Sequence, residues 1–190
     1  MALIGFIGIG NMGYSMLKGA LKKFKQEKLA FTCIHSDRME EVKEQTGVNY
    51  VKDNSTLVEE CKYIILAVKP QSYPSVLKEI KNKINQNHVV ISIAPGISID
   101  SLKDALGKDT KIIRSMPNTP ALVGEGMSAV CYSGDNYTEE ENKIIEKFLY
   151  ELNQKKYSVL KFQFINQINN PPILYGVEKL NLLIIGVPIN

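Results

Sequence analysis

Residues 4–13 read IGFIGIGNMG, an apolar run closed by Gly8, Gly10 and Gly13. The run from Ala2 to Ile7 is continuously apolar, as expected of a strand covered on both faces in a parallel sheet. From Asn11 to about Lys23 the spacing turns helical, with Met12, Met16, Leu17, Ala20 and Leu21 on one face. A G-x-G-x-x-G that leaves a buried strand and opens a helix is the context a dinucleotide pyrophosphate requires. Gly8 would allow the tight turn, Gly10 the close approach of backbone to phosphate, and Gly13 the contact between helix and strand. Unpaired N–H groups and the helix dipole would then hold the anion. A glycine turn that merely packs is the competing reading.

Outward from this stretch, strands and helices alternate. AFTCIH (30–35) reads as a strand, and RMEEVKEQTG as a helix stopped at Gly47. VNYV (48–51) is a short strand, and STLVEEC a short helix in which Thr56 and Glu59 have capping-box spacing. YIILAV (63–68) is followed by a helix over 73–84, and HVVISI (88–93) by the Pro95-Gly96 break and a helix N-capped by Ser98. KIIRSM (111–116) and MSAVCYS (127–133) are further strands, and 138–152 an acid-started helix. This order predicts an α/β fold with a Rossmann-like, doubly wound, mainly parallel sheet. We place that nucleotide-binding domain at 1–152 and an atypical tail at 153–190. In the tail, SVLKFQFI (158–165) fits a strand, VEKLNLLIIGV (177–187) fits strand or helix, and Pro171-Pro172 bars a continuous helix.

Composition narrows the function classes. At 190 residues, 44% hydrophobic and 23% charged, the chain has the makeup of a soluble globular domain. A net charge of +3 with scattered basic residues gives no reason to expect nucleic acid. Cys33, Cys61 and Cys131 lie far apart, so neither a zinc site nor a disulfide framework is expected. No basic leader and no bilayer-length apolar run is present, and the expected setting is cytoplasmic, without membrane or metal. His35 and His88 sit near strand boundaries and read as structural, and no Ser/His/Asp set or paired carboxylates mark a catalytic centre.

Three loops beyond strand ends carry the remaining polar signals. Asp37 would accept from a ribose 2′-hydroxyl and favour NAD, whereas Ser36 and Arg38 would suit the 2′-phosphate of NADP, and the residues alone leave both open. Ala67-Val68-Lys69-Pro70 and Met116-Pro117-Asn118-Thr119-Pro120 follow the fourth and sixth strands, where open α/β sheets bind ligands. Lys69 and Asn118 are the candidates for the nicotinamide and substrate side.

Taken in order, FIGIGNMG, Asp53-Asn54, LAVKPQ, ISIAPGIS and IIRSMPNTPALVGEGMSAV resemble the N-terminal domain of the pyrroline-5-carboxylate reductase family, from about Ile4 to Leu152. The resemblance implies NADPH as cofactor, with NAD possible. It implies cofactor contacts at Ile7, Gly8, Ile9, Gly10, Asn11, Met12 and Gly13, at Ser36, Asp37 and Arg38, and at Asn54. Further contacts are implied at Ala67, Val68, Lys69 and Pro70, and at Ile93, Ala94 and Pro95, where the family usually has alanine in place of proline. The implied reaction is hydride transfer to the imine of 1-pyrroline-5-carboxylate, giving L-proline in proline biosynthesis. The family is homo-oligomeric through an all-helical C-terminal domain that has no counterpart after Leu152, as after a shift of reading frame or a fusion. Weak or absent turnover is therefore expected, with an NADP-binding module that does not turn over as the alternative.

Overall fold

The computed structural model describes residues 2–117, 128–132, 137–151, 160–162 and 181–185. The helices and strands, in chain order, are β1 Ile4–Ile7, α1 Asn11–Ala20, β2 Leu29–Thr32, α2 Ser36–Thr46, β3 Asn49–Tyr50, α3 Asn54–Glu60, β4 Tyr63–Leu66 and α4 Tyr73–Ile80. They continue with β5 Val89–Ser92, α5 Ile99–Leu106, β6 Lys111–Pro117, β7 Ser128–Tyr132, α6 Glu139–Glu151, β8 Leu160–Phe162 and β9 Asn181–Ile185. The sheet runs β3-β2-β1-β4-β5-β6-β7-β9-β8. Its strands are parallel from β3 to β6, and β7, β9 and β8 extend the β6 edge through antiparallel pairs.

Apolar continuity along the strands follows from helices on both faces. Every residue of β1, β2, β4 and β5 is buried. On one face Phe6, Phe31, Ile65, Ile91 and Ile113 meet Met16 and Leu17 of α1, Val42 of α2, and Ile145 and Phe148 of α6. The rings of Phe6 and Phe148 lie 6.1 Å apart. On the other, Ile7, Ile64, Leu66, Val90 and Ile112 meet Leu57 and Val58 of α3, Val76 and Ile80 of α4, and Leu102 and Leu106 of α5. The sheet is thus doubly wound, as the alternation predicts.

Several boundaries differ from the sequence reading, each for a local reason. β2 ends at Thr32 rather than at residue 35, because its neighbour β1 stops at Ile7 and Gly8 N–H donates to the Thr32 carbonyl at 2.9 Å. Ser36, Asp37 and Arg38 therefore form the first turn of α2 and not a strand end. α1 stops at Ala20, and Lys22 and Lys23 tighten the chain with three-residue hydrogen bonds that bring Phe24 into the core. The α3 cap is Asp53, whose carboxylate accepts from Thr56 N–H at 2.7 Å, so Thr56 lies inside the helix and the Thr56/Glu59 capping box does not form. A reciprocal box forms at Thr138 and Glu141 instead. Glu141 N–H donates to Thr138 Oγ1 at 3.2 Å, and Thr138 N–H donates to Glu141 Oε2 at 2.9 Å. Gly47 at φ +70° and Ser98 cap α2 and α5 as predicted.

Candidate nucleotide-binding site

The turn after β1 is shaped by what each glycine lacks. Gly8 has φ +93°, and a Cβ there would lie 2.7 Å from Val68 Cγ1 and 2.8 Å from the Ala67 carbonyl oxygen. A Cβ on Gly13 would lie 2.4 Å from the Gly8 carbonyl oxygen and 3.1 Å from Ala67 Cβ, so α1 presses onto both loops. Gly10 is different: its φ is −67°, and a Cβ would meet nothing within 4 Å. Among the described residues no atom demands a glycine there, and the space beside its backbone is open. Gly10 also offers no side chain to cap α1, whose first bond back runs from Tyr14 N–H to the Gly10 carbonyl at 2.8 Å. The N–H groups of Asn11, Met12 and Gly13 therefore have no partner within the helix, which suits an anion. Ile7 and Ile9 send their side chains into the core, so only their backbone faces this end of the sheet.

Hydrogen bonds draw the other loops to the same end. Ala67 N–H donates to the Ile7 carbonyl at 2.8 Å, placing Ala67 and Val68 against Gly8. Ile93 N–H reaches the Leu66 carbonyl at 3.5 Å. Ala94 is buried, Pro95 is exposed, and Gly96 at φ +76° completes the Pro-Gly turn. Lys69 is exposed at the head of the turn formed by Pro70 to Ser72. Arg38 Nε donates to the Ile9 carbonyl at 3.4 Å, tying the start of α2 to the glycine turn, while Ser36 Oγ donates to Asp37 Oδ1 at 3.3 Å. Asn54 is the exception among these residues: its Nδ2 donates to Glu79 Oε2 of α4 at 2.7 Å, so its amide is engaged between helices. Asn118 and the rest of the loop after Pro117 lie outside the described residues.

Two groups had no sequence signal. The Tyr73 hydroxyl, buried beneath these loops, donates to the Leu66 carbonyl at 3.0 Å and shares a 2.9 Å hydrogen bond with Ser92 Oγ. It joins the last residue of β4 to the last residue of β5, and burial raises the phenol above its usual range. Tyr14 lies beside Arg38, with the guanidinium carbon 4.8 Å from its ring centroid. Both looked like ordinary helix residues, because their partners are far away in sequence.

Two further titratable groups serve the scaffold. His88 Nδ1 accepts from Asn85 N–H at 3.0 Å, which fixes Nε2 as the donor to the Val58 carbonyl, also at 3.0 Å. Burial pushes the Cys61 thiol up to about 12, so it stays protonated and unreactive.

Comparison with known proteins adds family context. Residues 3–96 match a family model described as NADP oxidoreductase, coenzyme F420-dependent. Residues 105–178 match one described as rRNA methylase, overlapping a stretch that the relatives below also cover. The chain is 37% identical over 142 residues to pyrroline-5-carboxylate reductase of Methanosarcina acetivorans, taking in 74% of this chain and 52% of that protein. The Escherichia coli protein of that name is 40% identical over 129 residues, 67% of this chain and 48% of its own. Plasmodium falciparum pyrroline carboxylate reductase, solved with NADP bound, superposes with a TM-score of 0.69 at 31% identity, covering 80% of this chain and 55% of that one. The structure from Coxiella burnetii gives 0.74 at 27% identity, covering 80% of this chain and 57% of that one. Aquifex aeolicus prephenate dehydrogenase, at 12% identity and a TM-score of 0.65, shares the fold alone. The chain spans about half the length of the curated relatives it matches.

Proposed function

We propose, for a chain whose nucleotide-binding domain belongs to the pyrroline-5-carboxylate reductase family, that the glycine turn holds NADPH and serves reduction of 1-pyrroline-5-carboxylate to L-proline. The observation that carries this reading is the contrast among the three glycines. Gly8 and Gly13 are required by neighbouring protein atoms, whereas among the described residues Gly10 is required by none and borders open space. That is the arrangement expected where a pyrophosphate, and not protein, occupies the space.

In this reading each residue has a task. The first N–H groups of α1, from Asn11 to Gly13, would hold the pyrophosphate, aided by the helix dipole. Arg38, with the Ser36 hydroxyl in the same helical turn, would take the 2′-phosphate that separates NADPH from NADH. Ala67 to Pro70 and Ile93 to Pro95 would line the path towards the nicotinamide, with Lys69 as an exposed cation there. NADPH supplies the hydride, and this domain's contribution is placement. In this reading residues 1–152 are the nucleotide-binding domain, 153–190 are an addition to it, and the setting is the cytoplasm.

Fluorescence titration with NADPH and NADH, followed by an NADPH-consumption assay with 1-pyrroline-5-carboxylate, tests the reading. Micromolar NADPH binding with turnover above the enzyme-free rate is the expected result for a reductase. Binding without turnover would leave a nucleotide-binding module, the alternative favoured by the chain spanning about half of its relatives. Absence of NADPH binding would overturn the assignment.

A further inference from the structure

Arg38 is held by a closed ring of side chains between α1 and α2. Its Nη1 forms an ion pair with Glu41 Oε2 at 2.6 Å. Glu41 Oε1 accepts from Gln45 Nε2 at 3.1 Å, and Gln45 Oε1 accepts from the Tyr14 hydroxyl at 2.7 Å. The Tyr14 ring closes the circuit against the Arg38 guanidinium, 4.8 Å from carbon to centroid. Nε is occupied by the Ile9 carbonyl at 3.4 Å, and the Nη2 amino group carries no hydrogen bond among the described residues. An arginine on an exposed first turn would ordinarily sample many rotamers, and ordering it on binding costs conformational entropy. Here the ring, the carboxylate and the backbone fix its plane beforehand and leave one edge of the fork outward. A planar fork held in this way suits a phosphate monoester better than a mobile one.

We propose that Tyr14, which need not touch the cofactor, is a positioning residue that sets the preference for NADPH over NADH by holding Arg38 in place. The proposal rests on the reading of Arg38 as the 2′-phosphate contact, and the experiment separates the two. Dissociation constants for NADPH and NADH are measured for the whole chain and for Arg38→Ala, Tyr14→Leu, Tyr14→Phe and Lys18→Gln. Lys18 is included because its ammonium reaches the same ring, 5.6 Å from the centroid.

Arg38→Ala is expected to weaken NADPH binding about tenfold or more with NADH unchanged, as loss of a charge-assisted pair predicts. Tyr14→Leu is expected to weaken NADPH about two- to fivefold, the range of an exposed cation–π contact, again with NADH unchanged. Tyr14→Phe keeps the ring against Arg38 but loses the hydrogen bond to Gln45, so its ratio should lie between the native one and that of Tyr14→Leu. If Arg38→Ala leaves the ratio alone, the 2′-phosphate reading fails and the proposal with it. If Arg38→Ala lowers the ratio while Tyr14→Leu does not, the proposal alone is lost. It is equally overturned if Tyr14→Leu weakens both nucleotides in parallel, or if Lys18→Gln reproduces the loss.

Discussion

The two ends of the sheet handle polar groups in opposite ways. At the carboxyl ends of β1, β4 and β5, the glycine turn leaves backbone donors without partners and an open space beside Gly10. At the amino ends, Glu141 is buried and its carboxylate is engaged on every side. It meets Lys62 at 2.9 Å, Lys111 at 2.8 Å and Thr138 N–H at 2.9 Å. Lys62 directly precedes β4, Lys111 opens β6, and Glu141 sits in the first turn of α6. Burial by itself would raise this carboxyl, yet the bonds from Lys111, Thr138 and Lys62 outweigh it and hold it at about 2. A satisfied cluster fixes a helix to a sheet, while an unsatisfied one is ready for a ligand.

The comparison is tested most severely at Glu141. Glu141→Gln should lower stability by about 3 kcal/mol, because it leaves the largely buried Lys111 without its counter-charge and weakens the pair with Lys62, and should leave NADPH affinity unchanged. Thermal melts with and without nucleotide measure both; weakened NADPH binding would mean that the two ends are coupled. The same carboxyl predicts an acid limb. Its folded value, about 2, lies below its ordinary 4.5, so the stabilisation is present in full above about pH 4.5 and fades as pH falls towards 2. Melting temperature against pH should therefore fall more steeply in the native chain than in Glu141→Gln over that window.

Gly13→Ala comes next. Its Cβ would stand 2.4 Å from the Gly8 carbonyl oxygen, backbone that cannot swing aside, so a loss of about 1–3 kcal/mol and of nucleotide binding is expected together. Gly10→Ala separates those effects. Its backbone has φ −67° and its methyl would meet no atom of the described residues, so the melt should shift by less than about 1 kcal/mol, the cost of alanine at the helix cap, while NADPH weakens about tenfold. An unchanged affinity would show that the open space holds no ligand. Smallest is Tyr73→Phe, which leaves Ser92 Oγ and the Leu66 carbonyl short of one partner. A loss of about 1 kcal/mol in a denaturant melt is expected.

How much of this could be read in advance follows from the reach of each signal. The strands and their parallel order were legible, because burial on both faces writes a continuous apolar run into YIIL and VVIS. The glycine turn was legible because its three positions are local. The start of α2 was misplaced, since the end of β2 is set by where β1 stops and not by anything in residues 33–35. The capping box was assigned to Thr56, although Asp53 was the better-placed cap, and went unread at Thr138, where three consecutive glutamates look like an exposed acidic turn. That one of them is buried depends on Lys62 and Lys111, which only the folded sheet brings near. Tyr14 and Tyr73 escaped for the same reason.

Within β1, Gly5 leaves so little room that a Cβ would lie 2.4 Å from Leu57 Cδ2 and 2.9 Å from Cys61 Sγ. α3 therefore seals the Cys61 thiol against the strand, whereas Cys33 is only half covered. The pair forms an internal clock. With labelling read residue by residue from peptide masses, so that Cys131 is counted apart, a thiol reagent would label Cys33 first, and its slower reaction at Cys61 would time how often α3 lifts from the central strand, without any introduced probe.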